Sequence, residues 1–398
     1  MKILSVNAGS SSLKFQMYEM PEEKVLISGV FERIGIGNSF YTIKLNGEKI
    51  KKERELSNHE EAVKILTDEL LENKVVSSLN EIEAIGHRMV HGGDKYQKST
   101  IINDEVIRDS EALIELAPIH IPANLTGVRA FQKIIKDATP VAVFDTSFHL
   151  TMAPEAYMYG TPYEWYEKYH VRKYGFHGTS YRYVSAEAAA RLNRPLKGLK
   201  MIIAHLGNGA SLAAIKDGKV VDTTMGLTPL DGLPMGTRSG TIDPAIIEFI
   251  CHKENKTVEE VTTILNKKSG YIGYFPKSSD GRDLRKAQAE GDVKADLILR
   301  MQEKKIVDFI GSYYAYMGGC DVLVFTAGIG EKSPQTRSEV CARLKEAFGV
   351  EIDEQKNIDT FGNYAEISTP NSKIKVLVVP TNEELMIARD VMRLGNIK

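Results

Sequence analysis

One pattern constrains this chain more than any other, and it occurs in both halves. A short apolar strand breaks off into a glycine-containing turn, and a second apolar run follows. In the first half Lys2-Ile-Leu-Ser-Val-Asn7 leads into Ala-Gly-Ser-Ser-Ser12-Leu-Lys14 and then Phe15 to Tyr18. In the second, Met201-Ile-Ile-Ala-His205 leads into Leu-Gly207-Asn-Gly209-Ala-Ser211 and then Leu212 to Ile215. Lys216-Asp-Gly-Lys219 next forms a hairpin-turn signal ahead of Val220-Val221. A third apolar strand, Val322-Leu-Val-Phe-Thr326, ends in Ala-Gly328-Ile-Gly330-Glu331, and a fourth, Lys375-Val-Leu-Val-Val-Pro380, ends at Thr-Asn382-Glu383-Glu384. Helical periodicity fits Glu60 to Glu72, Ala123 to Lys136, Val184 to Leu192, Ala295 to Met317 and a closing segment from Leu385. Strands mixed with helices of this length predict an α/β protein. The repeated strand–turn–strand unit hints at two related halves.

Length supports the same division. A chain of 398 residues exceeds what one hydrophobic core ordinarily supports. A junction is expected after Phe144-Asp145-Thr-Ser-Phe-His149. This gives residues 1–149 and 150–384 as the two domains, with a C-terminal helix, 385–398, completing the first.

Charge and cysteine usage exclude several classes. Lys plus Arg is 51 and Asp plus Glu is 53, a formal net charge of -2. That balance gives no electrostatic basis for nucleic acid or an anionic membrane as the main partner. Cys251, Cys320 and Cys341 are far apart and odd in number, so neither a disulfide framework nor a zinc pattern is expected. The opening residues carry no signal-peptide core, and the apolar runs are too short to span a bilayer. The expected location is the cytoplasm.

The chemistry-bearing residues gather where strands end. Asn7 to Lys14 resembles a phosphate cradle: glycine lets backbone amides approach an anion, hydroxyls add donors and lysine adds a point charge. It lacks the Walker A spacing, and a plain polar hairpin turn is the equal competing reading. His205 to Ser211 and Gly328 to Glu331 repeat the same physics, and none has the dinucleotide spacing of a nicotinamide site. His87 and His91 are four apart, but no glutamate follows His87, so they do not read as a zinc-binding helix. Arg88 and Arg238 are planar forks suited to carboxylate or phosphate, Arg238 standing in the small-residue loop Gly232 to Gly240. His177 lies between Phe176 and Gly178. Asp145 ends an apolar strand, Asp280-Gly-Arg282 adds a polar loop, and Glu383 follows the last strand. Singly, each of these is ordinarily structural: a salt bridge, a core histidine or a helix cap.

Together these segments resemble acetate kinase, a member of the superfamily of actin, sugar kinases and heat-shock chaperone ATPases. The resemblance is carried by eight ordered motifs: Val6 to Lys14, His87 to Gly93, Phe144 to Thr146, Tyr174 to Ser180, His205 to Ser211, Met235 to Gly240, Thr326 to Glu331 and Pro380 to Glu384. It implies two ribonuclease-H-like domains with an interdomain active-site cleft, a homodimer, and ATP with Mg²⁺ (Mn²⁺ as a substitute). By position it implies that Asn7 and Glu383 belong to the metal site. Lys14, His205, Leu206, Gly207, Asn208, Gly209, Asp280, Gly281, Arg282, Gly328, Ile329, Gly330, Glu331 and Lys332 bind nucleotide. Arg88, Arg238, His177 and Asp145 are catalytic, and Arg88, Val90, Ile119, Phe176 and Pro229 receive the acid. The implied reaction moves the ATP γ-phosphoryl group reversibly to acetate by in-line displacement. A propionate or other short-chain carboxylate kinase is the alternative. A hydroxyl kinase or an ATP-driven conformational protein fits the paired arginines and apolar pocket less well. Ile121, Thr241, Gly281 and Lys332 depart from the family's usual residues.

Overall fold

The computed structural model describes residues 1–395. It divides into two compact units: Met1–Phe148 with the segment from Asn382 onward, and His149–Thr381. Each is built on one sheet.

The first unit holds β1 (Lys2–Ala8), β2 (Ser12–Glu19), β3 (Lys24–Glu32), β4 (Phe40–Leu45), β5 (Glu48–Glu53), β6 (Ile82–Met89), β7 (Thr100–Ile101) and β8 (Thr139–Phe144). Their order across the sheet is β5-β4-β3-β2-β1-β6-β8-β7. The second unit holds β9 (Lys200–Leu206), β10 (Ala210–Lys216), β11 (Lys219–Thr223), β12 (Val322–Thr326), β13 (Ala365–Glu366) and β14 (Lys375–Val378), in the order β11-β10-β9-β12-β14-β13. One motif underlies both. An antiparallel meander, β3-β2-β1 or β11-β10-β9, is extended by two strands parallel to its first, β6 and β8 or β12 and β14. The two related halves read in the sequence correspond to these two sheets, in an α/β architecture.

The turns follow their residues. Asp217 and Gly218 both take positive φ, which matches the twist of the β10–β11 hairpin. β9 is buried almost throughout, as a strand covered on both faces must be. Its cover includes α3 (Gly178–Arg191) and α5 (Val293–Met317), and Ile306, Ile310 and Tyr313 of α5 join Ile202, Leu212 and Phe325 in one core. In the first unit α1 (His59–Glu72) starts where Asn58 accepts the amide of Glu61, and it buries Ala62, Val63, Leu66 and Leu70 against Val6, Phe15 and Phe31. α2 (His120–Ile134) packs on β1 and β6. Two further helices border the regions described below: α4 (Gly281–Ala289) and α6 (Ala327–Lys332).

The closing helix, α7, runs Glu383–Arg393, starting earlier and ending sooner than the expected 385–398; positions 396–398 of that expectation lie outside the described residues. It lies on β1 and β6, and Ser5 Oγ donates to the Glu384 carbonyl at 2.8 Å. Gly86 makes that approach possible: a Cβ there would stand 2.3 Å from Ile387 Cγ2. Gly86→Ala is expected to lower stability by ~1–3 kcal/mol, the usual cost of overpacking. Adding Ile387→Ala should recover part of the loss, and thermal unfolding of the single and double variants checks this.

Next to Gly86, His87 is buried edge-on to Phe131, and desolvation pushes its pKa down to about 3. His91 is buried too, and is pushed down to about 4 by the same cause. A histidine held neutral in the fold binds protons better when unfolded. Stability is therefore full above the ordinary pKa of about 6.5 and falls as pH drops from there towards 3. His87→Leu should flatten the fall in Tm between pH 7 and pH 5; an unchanged slope would show that His87 does not carry it.

Candidate active site

In the first unit three adjacent parallel strand ends converge. β1 ends beside Asn7, β6 carries Arg88 near its end, and Asp145 follows β8, its amide bonded to the Met89 carbonyl at 2.9 Å. Arg88 spans them: Nη1 donates to Asn7 Oδ1 at 3.3 Å and Nη2 pairs with Asp145. Burial opposes the charge on Arg88, but Asp145, Glu383 and Glu384 outweigh it and hold the guanidinium firmly protonated. Glu383 and Glu384 occupy the first turn of α7, whose N-terminus is capped by Asn382 accepting the amide of Leu385. Burial, with Asp145 and Glu384 nearby and against the pull of Arg88, pushes the Glu383 carboxyl up to about 7. Lys14, facing Asn7 across the β1–β2 hairpin, pairs with Glu384. The Gly9 amide closes that hairpin on the Ser12 carbonyl at 2.9 Å. The polar hairpin and the candidate cradle are the same object.

In the second unit the equivalent hairpin, β9–β10, turns at Gly207–Gly209, with the Gly207 amide on the Gly209 carbonyl at 3.1 Å. A Cβ on Gly209 would meet Arg238 Nη1 and His177 Nε2, each at 3.6 Å. Glycine turn, guanidinium and imidazole therefore share one small volume. His177 precedes α3 with φ of +60°, the left-handed region where non-glycine residues are uncommon and cluster at functional sites. Its ring stacks on His205 with centroids 4.1 Å apart and planes 19° apart. Arg238 is half-buried, and among the described residues it donates to neutral acceptors, the Pro229 carbonyl at 3.1 Å and Met235 Sδ at 3.6 Å. No carboxylate among the described residues pairs with it, and desolvation lowers its pKa. A buried cation without a counterion is costly unless an anion completes it. Its loop is tied by Thr241, whose hydroxyl donates to Asp231 at 2.6 Å and whose amide bonds the Gly232 carbonyl at 3.0 Å.

A pocket of about 920 Å³ opens beside this turn. Of the expected nucleotide residues it is lined by Gly207, Asn208, Asp280, Gly281, Arg282, Gly328, Ile329 and Lys332. Asp280 caps α4 by accepting the Arg282 amide and is held at about 2 by the Arg282 guanidinium. Of the other expected nucleotide residues, Gly209 closes the turn beside Arg238 and His177. Leu206 is buried in the second core, Gly330 packs under Phe325, and His205 stacks on His177. Glu331 folds back to accept the Ala327 and Thr381 amides at 2.8 and 3.0 Å. Lys14 belongs to the first unit. Tyr271, Arg285, Leu299, Phe361 and the stretch Ser333 to Thr336 also line the pocket and were not anticipated. Arg285 and Ser333 to Thr336 adjoin expected stretches, whereas Tyr271, Leu299 and Phe361 come from distant parts of the sequence and carry no local motif.

The expected acid-binding residues divide between the units. Val90 lies in a core cluster with Ile121 and Phe144, whereas Ile119 stands 54% exposed at the start of α2. Phe176 is buried in the second core, and Pro229 presents its carbonyl to Arg238. Among the described residues no group of three or more His, Cys, Asp or Glu side chains is arranged to hold a metal, and no helix is long and apolar enough to cross a membrane.

Comparison with solved structures defines the class first. The crystal structure of acetate kinase from Porphyromonas gingivalis superposes with a TM-score of 0.93 at 44% identity, covering 99% of this chain and 100% of that one. A propionate kinase from Francisella tularensis superposes with a TM-score of 0.92 at 42% identity, covering 98% of each chain. The fold is thus that of kinases named for short-chain carboxylic acids. The model of the acetokinase family matches residues 2–389, and the acetate kinase of Bacillus cytotoxicus is 53% identical over 396 residues, 100% of this chain and 99% of its own. The chain belongs to the acetokinase family.

Proposed function

We propose that this chain transfers the γ-phosphoryl group of ATP to acetate, reversibly, giving acetyl phosphate and ADP. The observation that carries the reading is Arg238: a half-buried guanidinium without an acid partner among the described residues, set against a glycine turn and His177 beside a pocket roomy enough for a nucleotide. Phosphoryl transfer needs positioning and charge neutralisation more than covalent catalysis. An acetate oxygen forms the new bond to the γ-phosphorus while the bond from phosphorus to the ADP oxygen breaks. The acid, with a pKa of about 4, is already ionised near neutral pH, so no proton has to move. Negative charge on the equatorial oxygens calls for donors. Arg88, Arg238 and the Nε2–H of His177 are assigned to it.

Asn7 and Glu383 are assigned to Mg²⁺, or Mn²⁺ in its place. Their donors are oxygens, which suit a hard cation, and the crowding of Glu383 by Asp145 and Glu384 is the kind a bound cation relieves. When bound, the ion supplies charge neutralisation on the nucleotide phosphates. The pocket lined by Asp280, Gly281, Gly328 and Ile329 is assigned to the nucleoside, and Val90, Ile119, Phe176 and Pro229 to the acid's methyl group. We further assign the enzyme to the cytoplasm, in keeping with its free thiols at Cys251, Cys320 and Cys341. A homodimer is also proposed; it should sediment with about twice the 44.3 kDa chain mass.

The Francisella tularensis propionate kinase makes propionate the competing acceptor. Purified protein with ATP and Mg²⁺ should be offered formate, acetate, propionate and butyrate, with the acyl phosphate trapped by hydroxylamine. Acetate should give the highest kcat/KM, and Val90→Ala should shift preference towards propionate by an amount within the ~1–3 kcal/mol that one methylene is worth. No acyl phosphate from any acid would overturn the reading. Propionate winning in the wild type would keep the reaction and change the acceptor.

Asp145 accepts from Arg88 and has no proton-transfer duty in this scheme. Asp145→Asn should therefore weaken acetate use chiefly through KM while turnover persists. Abolished turnover with acetate affinity intact would overturn this reading.

A further inference from the structure

The stacked imidazoles of His177 and His205 each turn Nδ1 towards a serine. Ser211 Oγ lies 2.8 Å from His177 Nδ1, and Ser180 Oγ lies 2.9 Å from His205 Nδ1. Each serine in turn touches a second hydroxyl, Ser211 that of Tyr181 and Ser180 that of Thr381. Two hydroxyl–serine–imidazole chains thus run side by side. Ser211, Tyr181 and Ser180 are fully buried.

The direction of the first chain follows from counting hydrogens. A neutral imidazole has one N–H, so Nε2 can donate only if Nδ1 accepts. Two rings stacked at 4.1 Å beside the Arg238 guanidinium disfavour a second positive charge. The Tyr181 hydroxyl has Ser211 Oγ as its hydrogen-bond partner, and a buried hydroxyl hydrogen without an acceptor is costly. Its hydrogen therefore points at Ser211. Ser211 has one hydrogen of its own, and its other neighbour is His177 Nδ1. That hydrogen goes to Nδ1, leaving the ring proton on Nε2, the nitrogen that faces the Gly209 turn. The reverse arrangement would turn a bare nitrogen lone pair towards the phosphoryl oxygens.

We propose that Tyr181 and Ser211 are positioning residues that hold His177 in its Nε2–H tautomer, so that the nitrogen facing the Gly209 turn is the one that carries the proton. The functional half of this inference rests on the phosphotransfer reading above; the tautomer itself does not.

The test uses full-length protein labelled with ¹⁵N-histidine. Long-range ¹H–¹⁵N spectra at neutral pH report the tautomer, with His177→Gln identifying the His177 signals by their loss. The wild type should show Nε2–H at His177. Ser211→Ala should move the signal towards Nδ1–H and lower kcat by up to ~100-fold, the size of losing one preorganised donor, with the KM values for ATP and acetate kept within about twofold. Tyr181→Phe, which keeps the ring, should give a mixed signal and a smaller loss in kcat, and it serves if Ser211→Ala does not fold. A wild-type signal of the Nδ1–H form would overturn the proposal. So would Ser211→Ala with unchanged spectrum or unchanged kcat. If the wild type shows Nε2–H but phosphorylates no acid, the phosphotransfer reading fails while the tautomer assignment stands.

Discussion

Arg88 is a half-buried charge, and it ties together the strand ends of the first unit. Its guanidinium reaches Asn7 on one side and Asp145 on the other, so the ends of β1, β6 and β8 keep their register through one planar group. The two acids that open α7 add to the field that keeps it charged. Removing one partner of such a pair leaves an uncompensated buried charge, at a cost of roughly 3–5 kcal/mol. The placement of α7 is therefore electrostatic as well as steric: Gly86 lets the helix approach, and its first turn brings acids to the strand ends.

The second unit solves the opposite problem. Among the described residues Arg238 meets no anion, and it is held by a carbonyl, a thioether and a tied loop. His177 is fixed by a left-handed backbone, a ring stack and a serine. Both groups are ordered before any substrate arrives, which is what preorganised stabilisation of developing charge requires.

How much of this was legible in the sequence depended on distance along the chain. The strands from Lys2 and Met201, their glycine turns and the long helix ending at Met317 are local patterns, and they fold as local patterns dictate. The start of α3 was missed because Gly178, Thr179 and Ser180 read as loop; buried packing overrides their propensity. Strand order was not legible, because β14 reaches its place beside β12 only after the intervening helices. The pairing of Lys14 with Glu384 was not legible either, because Glu384 lies at the far end of the sequence. The resemblance implies that the whole stretch Gly328 to Lys332 binds nucleotide. A helical turn faces several ways, so Gly330 and Glu331 turn inward to hold the loop while Gly328, Ile329 and Lys332 line the space. Tyr181 carried no sequence signal at all: its hydroxyl has meaning only once β10 brings Ser211 against it.

The first unit is discontinuous. Its sheet is made from the opening part of the chain, yet the helix that covers β1 and β6, and that carries Glu383, is made last. During synthesis the sheet must emerge with Gly86 and its neighbours uncovered, while the second unit, continuous from His149 to Thr381, can be completed in full. The earlier-made unit is thus the later one to close. A ribosome-bound chain lacking α7 holds the Arg88–Asp145 pair without the two acids that open that helix.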